Sequence, residues 1–479
     1  MSDSFFEYNN LKITKKIWLY FLAVFVVNFL FKIIYLDFSS LWYDEIISVQ
    51  SALLDFGHIK HVSEWDKNPP FYYYCLSVWV KLFNSSEFCV RILSVVFSSA
   101  AAGVLFLLAN KLFNKTTAII VSVLYLSSNI IYFYSHEARA YSLIVLLSLI
   151  STYLFFNFKD KPSYKNIFLL GLINFLLIYS HYISGLVLVI QIAFALIYFD
   201  REGKIKFSYS VLIVCLLVLL RFTKKQVMLV IDFNGANSTF WLKKSDYNYL
   251  IEMISSFLFQ PIFVLRLLGL IAFGVFFMFR YKLKQLNLAF IYCILIGFGS
   301  IIFVFFLGKI TPVFLDRYLL FTIPFILMLV AFALSFIKDQ YISVSLALVF
   351  FIFSAFNINY KTEKQMDYKG AVSFVKTNKE IDDLVIVKTK DIRALFCYYY
   401  NHDFFLQRKE EFNKEENVIF CNSWDDVYVD VNNFKRIIIL DTFHELNPNE
   451  NEFVTKLSQH KKYKAESNYY KGVRISFYK

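Results

Sequence analysis

Several familiar patterns are absent from this sequence, and each absence narrows the range of functions. There is no G-x-G-x-x-G segment, so nothing indicates a nucleotide-binding site. The six cysteines show no C-x-x-C spacing, so no metal site is predicted. No internal repeat or low-complexity tract is present, and charged residues make up only 18% of the chain.

The chain is instead rich in long apolar runs. Hydrophobic residues make up 58% and aromatic residues 20%, whereas soluble proteins are roughly 45–50% apolar. The excess lies in blocks of about 16–21 residues, the length needed to cross a bilayer or nearly so. The blocks end near residue 360. The eleven predicted spans are 17–36, 92–110, 117–134, 141–157, 166–181, 183–199, 207–222, 262–279, 287–307, 318–337 and 341–357.

This pattern predicts an all-α multi-span membrane domain followed by a small α/β domain. The boundaries are a cytoplasmic N-terminus over 1–16, a membrane domain over 17–360 with a first large loop at 37–91, and an extracytoplasmic α/β domain over 361–479. In the last of these, helices are predicted over 367–377, 393–400 and 452–460, and strands over 384–388, 417–421 and 436–440. Cys397 and Cys421 fall there, and whether they pair is open, as is the role of this domain.

The net charge of +12 is explained by basic residues that flank the apolar runs rather than by a nucleic-acid partner. The first run follows three lysines, is longer than a signal peptide's apolar region and lacks a small-residue cleavage site, so it is predicted to remain as a span. With a cytoplasmic N-terminus, eleven spans place residues 361–479 outside a cell or inner membrane. The basic loop over 221–246 disagrees, so either the charge rule is weak there or its cations face an anionic lipid.

The segment Phe71–Phe83 is apolar but too short to be a span. Its thirteen residues cover about 20 Å as a helix, less than the roughly 30 Å hydrocarbon core. We therefore predict an aromatic-rich helix that lies in the membrane interface. If it crossed the membrane, every later basic loop would move to the outer side.

Five polar segments converge at the outer face in this topology, and each also has a structural explanation. The acids Asp44 and Glu45 suit a general base, or are two solvated loop acids. The tyrosines after Asp66-Lys67-Asn68-Pro69-Pro70 offer stacking faces and hydroxyls, or form an aromatic belt. Glu137 and Arg139 either bind a phosphate through the arginine or pair with each other at two helix ends. His181-Tyr182 forms a turn in which the histidine is more often structural. Arg317-Tyr318 is the last candidate, and its arginine also suits snorkelling to the membrane interface.

Together these segments resemble the bacterial GT-C glycosyltransferases, in the branch with protein O-mannosyltransferases and the lipid A aminoarabinose transferase. The resemblance is carried by Leu-Trp-Tyr-Asp-Glu (41–45), Pro-Pro-Phe-Tyr-Tyr (69–73), Arg-Ile-Leu-Ser (91–94), Ser-His-Glu-Ala-Arg-Ala-Tyr (135–141), Tyr-Ser-His-Tyr (179–182), Asp-Arg-Tyr-Leu-Leu (316–320) and Asp-Tyr-Lys-Gly-Ala (367–371). It covers most of residues 17–360. One departure is Asn68, where relatives often have Lys or His; Lys67 is the candidate substitute.

The resemblance implies transfer of a sugar from a polyprenyl-phosphate donor to a cell-envelope acceptor, a glycolipid, polysaccharide or protein. It implies Asp44, with Glu45 and Glu137, as catalytic acids, and Arg139 and Arg317 as cations for the donor phosphate. The further substrate-binding candidates are Lys67, Tyr72, Tyr73, Tyr141, His181, Tyr182 and Tyr318. No cofactor is required and no metal ligands are assigned, while a need for a divalent cation, the sugar, the acceptor and the oligomeric state are open.

Three alternative functions differ in what they require of the sequence. A glycan polymerase or ligase would use the same class of donor. A lipid-linked-sugar transporter or flippase would need charged residues along a path through the bilayer, whereas the predicted spans are nearly free of midplane charge. A non-catalytic scaffold has no need of clustered acids and arginines. The clustering at one face therefore favours an enzyme.

Overall fold

The computed structural model describes residues 15–66, 68–224, 245–257, 288–337, 339–358, 360–361, 366–407, 416–442, 450–460 and 463–478. By their internal contacts these residues form two compact units. One, the membrane unit, comprises residues up to Ile34, Asp55–Leu82 and Cys89–Ile358. The other, the C-terminal unit, comprises Tyr35–Leu54, Phe83–Phe88 and Asn359–Lys479, so it includes two pieces of the predicted first loop.

Helices make up the membrane unit as the structure describes it. In chain order they are α1 (Lys15–Lys32), α3 (Phe56–Asp66), α4 (Phe71–Leu82), α5 (Glu87–Leu112), α6 (Lys115–Leu126), α7 (Asn129–Ser135), α8 (Tyr141–Asp160), α9 (Tyr164–Ile178), α10 (Leu186–Tyr198), α11 (Arg201–Arg221), α12 (Tyr247–Phe257), α13 (Leu288–Ile310), α14 (Ile323–Leu334) and α15 (Gln340–Asn357). Short 3₁₀ turns, Tyr182–Gly185 and Asp316–Thr322, lead into α10 and α14.

Polar residues at the helix starts explain several of these boundaries. The side chains of Asn114, Ser163 and Asp200 accept hydrogen bonds from backbone N–H groups in the first turns of α6, α9 and α11. Such caps satisfy donors that a helix leaves open at its N-terminus. The polar residues between the apolar runs therefore also determine where these three helices begin.

Six of the described helices are long and apolar enough to cross a membrane, and a seventh span is possible if α6 and α7 are counted together. The predicted span 117–134 is in fact broken, because α6 and α7 meet at 62° around Ser127 and Ser128. The predicted span 262–279 lies outside the described residues. The count of eleven spans stays a prediction, and Phe71–Leu82 forms the expected short helix.

A buried polar cluster joins four helices of the membrane unit. Gln191 on α10 donates to Ser151 Oγ on α8 (2.7 Å) and to Tyr292 Oη on α13 (3.4 Å). Asn174 on α9 donates to Gln191 Oε1 (2.9 Å) and accepts from Ser151 Oγ (2.6 Å). Interhelical hydrogen bonds of this kind hold helices together in a medium without water. The cluster therefore holds α8, α9, α10 and α13 together.

The C-terminal unit contains the predicted small α/β domain. Its helices are α2 (Tyr43–Ala52) from the first loop, then α16 (Tyr368–Asn378), α17 (Arg393–Tyr400), α18 (His402–Gln407) and α19 (Glu450–Ser458). Its strands are β1 (Asp383–Lys388), β2 (Val418–Cys421), β3 (Arg436–Thr442), β4 (Tyr463–Tyr470) and β5 (Val473–Tyr478), in the order β2-β1-β3-β5-β4.

The first three strands are parallel and the last two form an antiparallel hairpin at one edge. Strands β1 and β2 are buried throughout, and only Arg436 at the start of β3 is partly exposed. Continuous apolar runs are expected of parallel strands that are covered on both faces. The predicted fold class, a helical membrane domain with a small α/β domain, is confirmed, and the hairpin is an element that the sequence patterns did not predict.

Candidate active site

The predicted acids Asp44 and Glu45 lie in the first turn of α2, within the C-terminal unit. Glu45 is fully buried, and its Oε2 accepts a hydrogen bond from the backbone N–H of Trp42 (3.3 Å). A glutamate three residues into a helix that reaches back to the residue before it is a capping interaction. Asp44 is only partly buried. Glu45 is therefore committed to the helix start, and Asp44 is the better placed of the two to meet a substrate.

The predicted aromatic segment in the membrane unit is organised around an acid that was not among the predicted site residues. The carboxylate of Asp66, the last residue of α3, accepts from the Tyr73 hydroxyl and from Asn68 Nδ2 (3.2 Å). It also pairs with the guanidinium of Arg139 (3.4 Å). Asp66 occupies the motif position just before Lys67 and Asn68, which was the only sequence signal for it. Lys67 itself lies outside the described residues.

Arg139 is held by two partners in this cluster. Its Nη1 donates to Tyr73 Oη (3.3 Å) as well as to Asp66 Oδ2. The side chains of Arg139 and Asp66 are only 6% and 8% exposed, so both charges are largely removed from water. Tyr72 is directed elsewhere, with its hydroxyl 3.2 Å from Ser94 Oγ and its side chain fully buried. Tyr73 therefore contacts the charged cluster, and Tyr72 packs on α5.

The segment around Glu137 is tied to the segment around Arg317. The hydroxyl of Tyr134 donates to Asp316 Oδ2 (2.8 Å), and the ring of Tyr134 lies 5.3 Å from that of Tyr141. Glu137, between these two tyrosines in the chain, is buried at 3% exposure. Two segments about 180 residues apart in the chain therefore meet.

His181 lies next to both arginines. The structure ends α9 at Ile178, so His181 belongs to the connection between helices rather than to a span. Its ring is 4.6 Å from the ring of Tyr318, against which the Arg317 guanidinium lies at 5.8 Å. Burial first, and then the charges of Arg139 and Arg317, lower the pKa of His181 to about 3. With a pKa this low, His181 is neutral at physiological pH and adds no positive charge to the cluster.

The residues of this cluster enclose a narrow space. It is lined by Asn68, Pro69, Tyr72, Tyr73, Arg139, Ala140, Tyr141 and His181 and measures about 10 Å³, roughly the room of one water molecule. A phosphate is larger, so these side chains must move apart to admit one. Tyr182 follows His181 in the chain, and its ring lies 6.0 Å from that of Phe222 at an angle of 52°. Burial raises the pKa of its hydroxyl.

A further cation, Arg221, is the last residue of α11, and its charge acts on Tyr74 and Tyr179. Burial raises the pKa of Tyr74, whereas the charge of Arg221 and a hydrogen bond with Tyr179 oppose that rise. Arg221 is exposed. Its signal in the sequence was the basic loop over 221–246 that did not fit the charge rule. Within the described ranges, no three His, Cys, Asp or Glu side chains are grouped so that they would hold a metal ion.

Comparison with known proteins identifies the fold. Residues 67–224 match the family model described as dolichyl-phosphate-mannose-protein mannosyltransferase. The structure of ArnT from Cupriavidus metallidurans in the apo state matches with a TM-score of 0.62 and 13% identity, covering 96% of this chain and 97% of that one. The fold is that of a GT-C glycosyltransferase. The predicted resemblance is confirmed at the level of the family model over residues 67–224 and of the fold.

Two other solved structures are similar to this chain. ArnT bound to undecaprenyl phosphate matches with a TM-score of 0.62 and 12% identity over 97% of this chain and 98% of that one. The archaeal oligosaccharyltransferase AglB from Archaeoglobus fulgidus, in complex with an inhibitory peptide and a dolichol-phosphate, matches with a TM-score of 0.54 and 11% identity. The match covers 89% of this chain and 69% of AglB. No curated protein sequence matches the chain significantly.

Proposed function

We propose that this GT-C protein transfers a sugar from a polyprenyl-phosphate-linked donor to a cell-envelope acceptor at the outer face of the membrane. The observation that carries the proposal is the cluster in the membrane unit, where the buried Arg139 and His181 line one space and Arg317 lies against Tyr318, the ring that packs on His181. The matched family model covers the part of the chain that contains Arg139 and His181. ArnT and AglB, which share the fold, were solved with polyprenyl-type phosphates.

The two arginines suit a phosphate leaving group. As the bond between sugar and phosphate breaks, negative charge grows on the phosphate oxygens, and fixed cations stabilise that charge. Arg139 is positioned for this by Asp66 and Tyr73, which hold its guanidinium in place. Arg317 rests against Tyr318. Because Asp66 offsets part of the charge of Arg139, we assign the larger share of phosphate binding to Arg317.

The acceptor requires a group that takes its proton. Asp44 is the candidate, since Glu45 is occupied as a helix cap and Glu137 is buried. Direct displacement at the anomeric carbon by an acceptor oxygen or nitrogen, with the proton passing to Asp44, inverts that carbon. In this scheme Glu137 and the tyrosines Tyr73, Tyr141 and Tyr318 shape the site. Tyr182 and Tyr72 support it by packing.

The same scheme places both reactants on one side of the membrane. The proposed topology has a cytoplasmic N-terminus and an extracytoplasmic domain over residues 361–479, with the first loop outside. The basic loops between the predicted spans support this orientation. The domain boundaries 17–360 and 361–479 remain predictions, and the C-terminal unit adds residues 35–54 and 83–88 to the second of them.

The test is reconstitution of the full chain in liposomes with a panel of undecaprenyl-phosphate sugars and extracted cell-envelope acceptors. Transfer is measured by mass spectrometry of the acceptor, and the anomeric configuration of the product by NMR. The matched control is Arg317→Met, which keeps the length of the side chain but removes its charge. A single sugar added to the acceptor with inverted configuration, and lost in the control, supports the proposal.

Other results would contradict it. A ladder of repeated additions would indicate a polymerase or ligase. Movement of the donor across the liposome membrane, with the bond between sugar and phosphate intact, would indicate a flippase. Retained anomeric configuration would refute direct displacement and require a covalent intermediate.

A further inference from the structure

The C-terminal unit holds the acid-bearing helix α2 through a tyrosine of its own domain. Tyr399 lies on α17, and its hydroxyl accepts a hydrogen bond from the backbone N–H of Leu41 (2.6 Å). The same hydroxyl donates to Glu87 Oε1. Leu41 comes two residues before α2 and three before Asp44. One phenol therefore joins the chain entering α2 to a carboxylate from the second loop segment of the unit.

A second set of contacts supports this connection from α16. The ammonium of Lys369 pairs with Glu87 Oε2 (2.6 Å), and the backbone N–H of Lys369 donates to Ser40 Oγ (3.1 Å). Ser40 in turn donates to Asp367 Oδ1 (3.4 Å), the residue that caps α16. Ser40 and Leu41 are buried. Ser40 and Leu41, which lie shortly before α2, are thus held from two different helices of the C-terminal domain.

The second loop segment is held in a similar way. The hydroxyl of Tyr398 donates to the backbone carbonyl of Ser85 (2.9 Å), and His402 Nε2 lies 3.0 Å from Ser85 Oγ. Glu87 follows two residues later. The first loop segment is therefore held from α16 and α17, and the second from α17 and the start of α18. These contacts explain why both segments group with residues 359–479.

We infer that Tyr399, together with Glu87, is a positioning residue that sets the place of Asp44 for the transfer reaction. This inference rests on the proposed function, in which Asp44 takes the acceptor proton. The hydroxyl of Tyr399 accepts from one backbone group and donates to a carboxylate, so it fixes the height and direction at which the chain enters α2. A base displaced by about 1 Å loses much of its effect on the rate. The C-terminal domain then serves the reaction by holding the acid.

The experiment compares Tyr399→Phe with Tyr428→Phe in the full-length protein. Tyr428 is the control because it lies in the same domain and its side chain is 61% exposed. Both changes remove one hydroxyl and keep the ring, so both variants are expected to fold. The first measurement is backbone hydrogen exchange of the peptide over residues 37–54, which does not depend on any activity. Exchange there should be faster in Tyr399→Phe and unchanged in Tyr428→Phe.

The second measurement is transfer kinetics. Tyr399→Phe should lower kcat about tenfold, the size expected when one charge-assisted hydrogen bond is lost, while the KM for the donor stays constant. Glu87→Gln, which still accepts from Tyr399, should restore most of the loss seen in Glu87→Ala. Because Tyr399 acts through Asp44, adding Tyr399→Phe to Asp44→Asn should cause no further loss.

The outcomes separate the two levels of the argument. Unchanged exchange over residues 37–54 in Tyr399→Phe would refute the positioning role whatever the activity. Losses that multiply when Tyr399→Phe and Asp44→Asn are combined would also refute it, because Tyr399 would then act independently of Asp44. Faster exchange in a protein that transfers none of the sugars would support the structural connection and refute the proposed function.

Discussion

Replacing Asp44 with asparagine tests the assignment of the proton acceptor most directly. Asparagine keeps the shape of the side chain and removes its basicity. If Asp44 takes the acceptor proton, kcat should fall about 10²–10⁴-fold, the usual contribution of a general base. That corresponds to about 2.7–5.5 kcal/mol in the activation barrier. Because the proposed function assigns donor binding to the arginines, the KM for the donor should change little.

The structure limits how much of such a loss could come from unfolding. Asp44 is partly exposed in the first turn of α2, where a negative charge stabilises a helix by about 0.3–1 kcal/mol. A melting temperature close to that of the wild type is therefore expected for Asp44→Asn. The assay is transfer in liposomes at saturating acceptor, with thermal unfolding followed on the same preparation.

Glu45→Gln is the matched control in the same turn. Glutamine at this position still accepts from the backbone N–H of Trp42, so the capping interaction is kept. Its loss of charge should cost about 1 kcal/mol of stability or less, and kcat should fall less than tenfold. If Asp44→Asn transfers sugar at a near-normal rate while Glu137→Gln abolishes transfer, the base lies beside Tyr134 and the assignment to Asp44 is wrong.

Three further predictions concern the arginines, the topology and the cysteines. Arg317→Met and Arg139→Met should each raise the KM for the donor roughly 10–100-fold in transfer kinetics. Arg139→Met should also lower the melting temperature, because it leaves the carboxylate of Asp66 buried without its cation. An unchanged KM in both variants would mean that the arginines are structural. Alkaline phosphatase fused after residue 479 should be active, and a reporter that fluoresces only in the cytoplasm should be dark, whereas the reverse would invert the topology. Burial raises the pKa of Cys397 to about 11 and that of Cys421 to about 12. At pH 8 roughly 0.1% or less of each thiol is therefore ionised, so maleimide labelling should be slow until the domain is unfolded. Rapid labelling of the folded protein would contradict the buried positions.

Much of the fold followed from the lengths of the apolar runs. The run over 141–157 became α8, and the interfacial segment became the short helix α4, because length against the bilayer is a strong signal. The hairpin of β4 and β5 was not predicted, since β4 reads Tyr-Lys-Ala-Glu-Ser-Asn-Tyr-Tyr and lacks the β-branched runs of the inner strands. The bend between α6 and α7 was not predicted either, because two adjacent serines are not a specific signal for the end of a helix.

The site was predicted by its motifs but not by its pairings. The predicted topology placed residues 137–139 and 316–318 at the same face of the membrane, and the structure joins their neighbourhoods through the Tyr134–Asp316 hydrogen bond. The ion pair of Arg139 with Asp66 joins residues 73 positions apart, and nothing in their spacing distinguishes it from a pair with Glu137. The capping role of Glu45 depends on a local backbone turn that the adjacent acids alone did not reveal. Pairings of this kind arise from tertiary packing, which linear spacing does not record.

The polar cluster of the membrane unit has a consequence for how the protein is made. Ser151, Asn174 and Gln191 lie on three consecutive helices and hydrogen-bond in a ring. The polar side chains of these helices can therefore pair with one another soon after they leave the ribosome. Tyr292 comes 101 residues after Gln191, which at ordinary synthesis rates is a delay of roughly 5–20 s. The ring allows α8, α9 and α10 to enter the lipid together without waiting for α13. The late arrival of Tyr292 then docks a helix onto a core that is already assembled.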